Sequence, residues 1–173
     1  RPERAKGLFP AGFSAEHLGP NDHYYWDDFW GVAGLRAAAR LFHREGRPED
    51  ATWATREADA FEADLERSLS ALPERTRKQG IPASPNRRMD AGAIGSMVAD
   101  YPLQLYGPDE ARLQATTRWL LQNCFHRGGF FQDMIHSGIN AYLTLDIAQT
   151  LLRQGDPRYR ELIGNVAALA APT

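Results

Sequence analysis

Cysteine is nearly missing: Cys124 is the one thiol in 173 residues, which excludes an intrachain disulfide framework and a multi-cysteine zinc site. An excess of either charge is missing too. Lys and Arg number 20 against 22 Asp and Glu, for a formal net charge of −2 and a pI near 6.2. The basic stripe of an electrostatic nucleic-acid binder is therefore absent. No apolar run approaches the roughly 20 residues of a membrane-spanning helix, and the chain opens on no signal-like segment. Val and Ile are sparse, and no period-2 alternation bounded by turns marks a strand. What is present is a hydrophobic content of 43% and a charged content of 24%, the balance of a soluble globular protein. The length allows one domain with a real core and is too short for two full-sized ones. No nucleic-acid and no membrane partner is expected, and cysteine usage leaves the compartment, cytoplasmic or periplasmic, unassigned. A start at Arg1 rather than Met, with an Ala-rich end at Thr173, points to a piece of a longer protein.

Punctuation divides the chain regularly. Residues 1–22 hold Pro10, Gly12, Gly19 and Pro20 and read as an irregular entry segment. From His23 to about Glu45, Trp26, Trp30, Ala33, Leu35, Ala38, Leu41 and Phe42 recur at helical spacing until Gly46 and Pro48 end the run. A second helix opens at Asp50 or Thr52 and stops before Pro73; Pro73 to Met89 reads as a long charged surface loop, with Arg75 to Lys78 solvated. Asp90 is a plausible N-cap for a third helix to Tyr106, bent near Pro102. A fourth helix runs from near Asp109 to Cys124, a fifth over about 140–153 and a sixth over about 158–170. The expected fold is all-α, a single domain of three consecutive antiparallel helical hairpins spanning 23–72, 90–124 and 136–170.

The odd helices are entered through long segments rich in Gly, aromatics and polar residues, the even ones through brief Gly/Pro/Asp turns. In consecutive antiparallel hairpins the odd helices point one way, so their entry loops share one end of the bundle. A decorated end opposite a plain end is the layout of a scaffold presenting a site; a solenoid of hairpins with uneven loops would show the same pattern.

Three clusters carry polar chemistry. In the run from Asn21 to Trp30, Trp26 and Trp30 lie four apart on one helix face and Asp27 sits in the first turn. Aromatic faces stack on the C–H faces of a sugar and carboxylates accept from its hydroxyls, so such a cluster suits a carbohydrate subsite. Aromatics at helical spacing also form cores, and a first-turn Asp also caps. Phe29 and Trp30 are assigned to the core, while Trp26 and Asp27 remain open between the two roles. The second cluster is Pro85 to Gly92, with Arg88 beside Asp90. A helix N-terminus and neighbouring arginines favour an ionised carboxylate, so an acid there needs opposing burial or a second carboxylate. The third runs from Gly128 to Asn140, where Phe131 offers a platform and Asp133, His136 and Asn140 offer hydrogen bonds; a lone His at such a place is more often structural. Cys124 is assigned to the core, opposite the decorated end.

The stretch Pro10-Ala11-Gly12-Phe13-Ser14-Ala15-Glu16, followed by Tyr24-Tyr25-Trp26-Asp27-Asp28-Phe29, resembles the signature of the trehalases. They are six-hairpin glycosidases, an α/α toroid group that also includes glucoamylases and bacterial relatives of α-glucosidase I. Arg88-Met89-Asp90 is similar, in its last two positions, to the Ser-Gly-Trp-Asp or Ser-Gly-Met-Asp of that group. The resemblance implies that three hairpins form part of an (α/α)6 toroid, that Asp90 is the general acid, and that Tyr25, Trp26 and Asp27 shape the sugar subsite. It further implies that Arg88, Phe131, His136 and Asn140 line that subsite. The implied activity is inverting hydrolysis of an α-glucoside or related sugar. In the group the general base is a downstream Glu, so this chain alone is expected to lack it and to be inactive or poorly active by itself. The other expectation is a non-catalytic hairpin module that binds a sugar or a protein. The expected partners are a carbohydrate and either the remainder of the toroid or a second copy of the chain. No HExxH, phosphate-cradling Gly motif or Gly-x-Ser-x-Gly elbow occurs, so neither a cofactor nor a metal is expected.

Overall fold

The computed structural model describes residues 3–14, 20–133 and 137–170. Helix α1 covers Tyr25–Arg44 and helix α2 Pro48–Ser70. Asp27 and Asp28 in the first turn of α1, with His43 and Arg44 in the last, complement the helix dipole. The reversal uses Gly46 at φ +70°, and Pro48 opens α2 at a first-turn position that needs no backbone N–H. Phe29 and Val32 of α1 join Leu65 and Leu69 of α2 in one core cluster, and an Arg36–Glu62 ion pair closes the outer side.

The third hairpin is also as the punctuation dictates. Asn140 caps helix α5, Ala141–Arg153, by accepting from Leu143 N at 3.1 Å. After Gly155 at φ +72°, Asp156 accepts from Arg158 N at 3.0 Å and helix α6, Tyr159–Leu169, begins. Among the described residues no helix is long and apolar enough to cross a membrane.

Between these hairpins the expectations need correction. The third helix is not an α-helix to Tyr106 but a fully buried 3-10 segment, Ala91–Ala99. Its residues are small or apolar, including Gly92 and Gly95, which lower α-helical preference. Pro102 disfavours helical geometry at Tyr101, and the Tyr101–Pro102 bond is cis. The segment packs against α1, α4 and α5. Nor is 73–89 a surface loop throughout. Arg75, Arg77 and Lys78 are exposed, as expected, but belong to a short helix α3, Glu74–Gln79, after which residues 80–85 are buried. That connector is bonded on every side. Ile81 N donates to Thr116 Oγ1 at 2.9 Å, Ser96 Oγ to Pro82 O at 2.8 Å, Tyr25 N to Ala83 O at 3.0 Å and Ser84 Oγ to Asp22 Oδ2 at 2.6 Å.

The all-α expectation is corrected as well. Helix α4, Ala111–Asn123, leads into a three-stranded antiparallel sheet ordered β1-β2-β3: Phe125–His126, Gly129–Asp133 and Ser137–Ile139. Phe125 pairs with Phe130, and Asp133 with Ser137. Arg127 at φ +51° and Gly128 at φ +79° make the two-residue turn that fits the twist of a hairpin. Phe130 of β2 enters the core, fully buried beside Phe125. The domain is thus predominantly helical with a small sheet at one end. Asp100 and Arg153 tie the end of the 3-10 segment to the end of α5 at 2.9 Å, with Asp100 fully buried.

Candidate functional site

Four elements enclose a cavity of about 560 Å³, within the usual range for small-ligand sites. Arg88, Met89, Asp90 and Ala91 line it from the entry to the 3-10 segment. Trp119, Asn123 and Cys124 come from the end of α4, Phe125 and His126 from β1, and Phe131 and Asp133 from β2. The walls are held by backbone geometry: Phe131 N donates to Cys124 O at 2.7 Å, and the His126 and Phe131 rings meet edge-on at 6.0 Å. Asp90 is the expected N-cap, its Oδ1 accepting from Gly92 N at 2.9 Å. Ser137 Oγ donates to Asp133 Oδ1 at 3.1 Å. The Cys124 thiol is pushed up to about 11, chiefly by burial, with the carboxylates of Asp90 and Asp133 adding to the rise. It stays protonated at neutral pH and is no nucleophile there. Cys124 is core-packed, as expected, but it lies at Asp90's end rather than opposite it.

Of the residues singled out from sequence, the cavity brings together Asp90, Arg88 and Phe131. Tyr25 is a correction: its side chain is fully buried, bonded to Ser68 Oγ at 2.8 Å, and burial raises its phenol well above the ordinary value. It packs the α1–α2 interface and cannot reach a ligand. Trp26 lines a separate groove of about 330 Å³ with Trp30, Ile94, Met97, Tyr101 and Tyr142 among its walls. There the Trp26 and Trp30 rings lie 5.8 Å apart. Trp30, assigned to the core, is instead 41% exposed, because α1 turns Tyr25, Phe29 and Val32 inward and leaves Trp30 outside, with Trp26 half-buried against the core. Asp27 is half-buried; burial raises its carboxyl while the Ser14 hydroxyl opposes the rise. Asn140 is engaged at both ends, capping α5 and donating to Gln132 Oε1 at 2.9 Å. His136 lies outside the described residues.

A polar frame supports the entry of the 3-10 segment. Asp22 accepts from Ser84 Oγ, from Asn86 Nδ2 at 2.9 Å and from His23 N at 2.8 Å. Burial alone would raise its carboxyl, but these bonds and nearby Arg87 outweigh it and hold the group below its ordinary value. In the first turn of α1, Asp28 is fully buried and pushed up to about 7 by burial, against the bond from Phe9 N at 3.0 Å.

Sequence pattern does not single out Trp119, Asn123 or His126, and it marks Asp133 only as a polar neighbour. A usable signal is present. In an antiparallel hairpin the last turn of the returning helix comes back to the decorated end, which places 119–124 beside Asp90. The cavity presents aromatic faces, carboxylate acceptors and the donors of Arg88, Asn123 and His126, a mixture of apolar faces and hydrogen-bonding groups. Among the described residues no three His, Cys, Asp or Glu side chains converge as metal ligands would. No family model, curated protein or solved structure matches the chain.

Proposed function

We propose that this cavity binds an α-glucoside or related sugar, and that the chain forms part of an inverting glycoside hydrolase. In this reading α1–α2, the 3-10 segment with α4, and α5–α6 are three consecutive hairpins of a six-hairpin toroid. The observation that carries it is the meeting of Asp90, Arg88 and Phe131 with the Trp119 ring in one cavity. Asp90 is the general acid: capping engages its Oδ1, and Oδ2 carries the proton passed to the departing glycosidic oxygen. Arg88 and His126 donate to sugar hydroxyls, and Phe131 and Trp119 cover the apolar faces of the rings. The separate groove carrying Trp26 and Trp30 offers a second aromatic surface for a sugar.

The remaining partner is the rest of the toroid or a second copy of the chain. Large apolar side chains stand exposed on both outer hairpins, among them Leu41 and Trp53 on the first and Leu152, Ile163 and Leu169 on the last. Such surfaces mark association sites. A second reading, a non-catalytic sugar-binding module, is favoured by the use of Asp90 as a helix cap.

Calorimetric titration of the 173-residue chain with maltose, trehalose and glucose tests the proposal. Binding should appear, and Phe131→Ala should weaken it about tenfold or more, a loss of roughly 1.4 kcal/mol, without unfolding the chain. Asp90→Asn should leave affinity nearly unchanged; the isolated chain, without the general base, should show little or no turnover, and the same change made in the chain together with the rest of the toroid should abolish hydrolysis. Hydrolysis that survives that change while binding still depends on Phe131 favours the module reading. Absence of binding to all three sugars refutes both.

A further inference from the structure

We infer that Asp22 is a positioning residue for the cavity, holding the turn at 84–87 so that Arg88 stands where a ligand meets it. The inference rests on the sugar-site reading above. Asp22 is not itself in the cavity wall, so it acts through the chain it holds.

Residues 22–25 grip the chain ahead of the wall at four points. Tyr25 N donates to Ala83 O at 3.0 Å. Ser84 Oγ donates to Asp22 Oδ2 at 2.6 Å, and Asn86 Nδ2 to Asp22 Oδ1 at 2.9 Å. The Arg87 guanidinium lies over the Tyr24 ring, 5.9 Å from its centroid. Of these ties, the Asp22 carboxylate is the one that bridges two residues of the turn at once. Ser84, fully buried, closes the turn on itself, its hydroxyl oxygen accepting from Asn86 N at 3.3 Å and its carbonyl from Arg87 N at 3.2 Å. The Asp22 backbone is pinned from the other side: Gly12 N donates to Asp22 O at 3.0 Å and Asp22 N to Gly12 O at 3.1 Å. Burial works against the charge on Asp22, but the bonds from Ser84, Asn86 and His23 N, with nearby Arg87, outweigh it and keep the carboxyl ionised at neutral pH. Both of its oxygens are then acceptors.

Arg88, Met89 and Asp90 follow the turn directly, and all three line the cavity. Their run is fixed at its start by Asp22 and at its end by Asp90, which caps Gly92 N at 2.9 Å. Met89 between them is buried, whereas Arg88 is exposed. Packing therefore does not hold the Arg88 side chain, and its reach into the cavity follows its backbone. A shift of the turn passes straight to the guanidinium, whose hydrogen bonds to a ligand weaken steeply with distance and angle.

Two variants outside the cavity wall test the inference by calorimetric titration with maltose, trehalose and glucose. Asn86→Asp sets a second carboxylate against Asp22 at an exposed position, and Ser84→Ala removes a hydroxyl with no change of charge. Each should weaken the best-bound of the three sugars about tenfold, with near-UV circular dichroism unchanged. The deciding readout is coupling. In an Arg88→Ala chain, itself weakened, the same changes should cost less than about twofold more, because the group they displace is gone. Should Ser84→Ala lose its near-UV signal, Asn86→Asp carries the same cycle. Variants that bind as tightly as the unmodified chain overturn the inference and leave the sugar site standing. An undiminished tenfold loss in the Arg88→Ala chain also overturns it, since the turn would then support the fold at large rather than Arg88. An unmodified chain that binds none of the three sugars removes instead the reading on which the inference rests.

Discussion

Replacing Asp28 by asparagine should flatten the dependence of stability on pH between about 4 and 7. The Asp28 carboxyl has no exposed surface, and its Oδ2 has no hydrogen-bond partner among the described residues. Burial carries it from an ordinary 3.8 to about 7. In that window the folded chain keeps a proton that the unfolded chain has released, so stability falls as pH rises and then stays low above about 7. Below 3.8 both states hold the proton and the group contributes no slope. A gap of about three pH units, at about 1.4 kcal/mol each, makes the loss about 4 kcal/mol. The substituted amide would be neutral throughout, with its carbonyl still placed to accept from Phe9 N. Its hydrogens would meet the unpartnered Oδ2 position, a cost of about 1–3 kcal/mol that does not vary with pH. Urea denaturation of both proteins at three pH values spanning the window, followed by tryptophan fluorescence, measures the difference directly. The variant should gain steadily on the parent as pH rises. Parallel stability curves across the range would refute the reasoning, because they would mean that Asp28 ionises equally well folded and unfolded.

Arg153→Ala should cost roughly 3–5 kcal/mol in thermal or urea denaturation, because it strands the fully buried Asp100 carboxylate; adding Asp100→Asn should recover much of that loss. Two glycine-to-alanine changes should have opposite signs. At Gly80 the backbone sits at φ +131° and an added Cβ would meet the Thr116 backbone at 2.7 Å, so Gly80→Ala should lose roughly 2 kcal/mol or more. At Gly34, inside α1, nothing lies within 4 Å, and Gly34→Ala should gain roughly 0.5–1 kcal/mol; matched denaturation curves decide both.

Legibility followed the strength of local signals. The α1–α2 and α5–α6 turns could be read because Gly46, Pro48, Gly155 and Asp156 each act within a few residues of themselves. The 3-10 segment could not, since apolar residues buried on every side leave no amphipathic period to read. The strands escaped notice because β1 has two residues and β3 three, too few for alternation, and their turn is Arg-Gly rather than Asn-Gly. At the candidate site, Asp90, Arg88 and Phe131 were visible as loop-to-element residues. Tyr25 and Trp30 were not separable by type: both are aromatic, and which one turns inward depends on where α2 and Ser68 lie. Asp133 reaches the cavity through strand pairing that residue type does not reveal, whereas Trp119 follows from the return of α4 to the end that carries Asp90.

The buried connector 80–85 has a bearing on how the domain comes apart. Arrays of helical hairpins, in which each unit touches only its neighbours, melt and tolerate insertions unit by unit. Here one stretch of chain is bonded at once to Tyr25 of the first hairpin, Ser96 of the middle segment and Thr116 of α4. Opening any one of those three leaves a buried backbone group of the connector without its partner. The first two hairpins are thereby welded into one cooperative unit that should exchange its amide hydrogens together. The α5–α6 hairpin, joined to the rest through the sheet, the 3-10 segment and the Asp100–Arg153 pair, is the part left free to fray first.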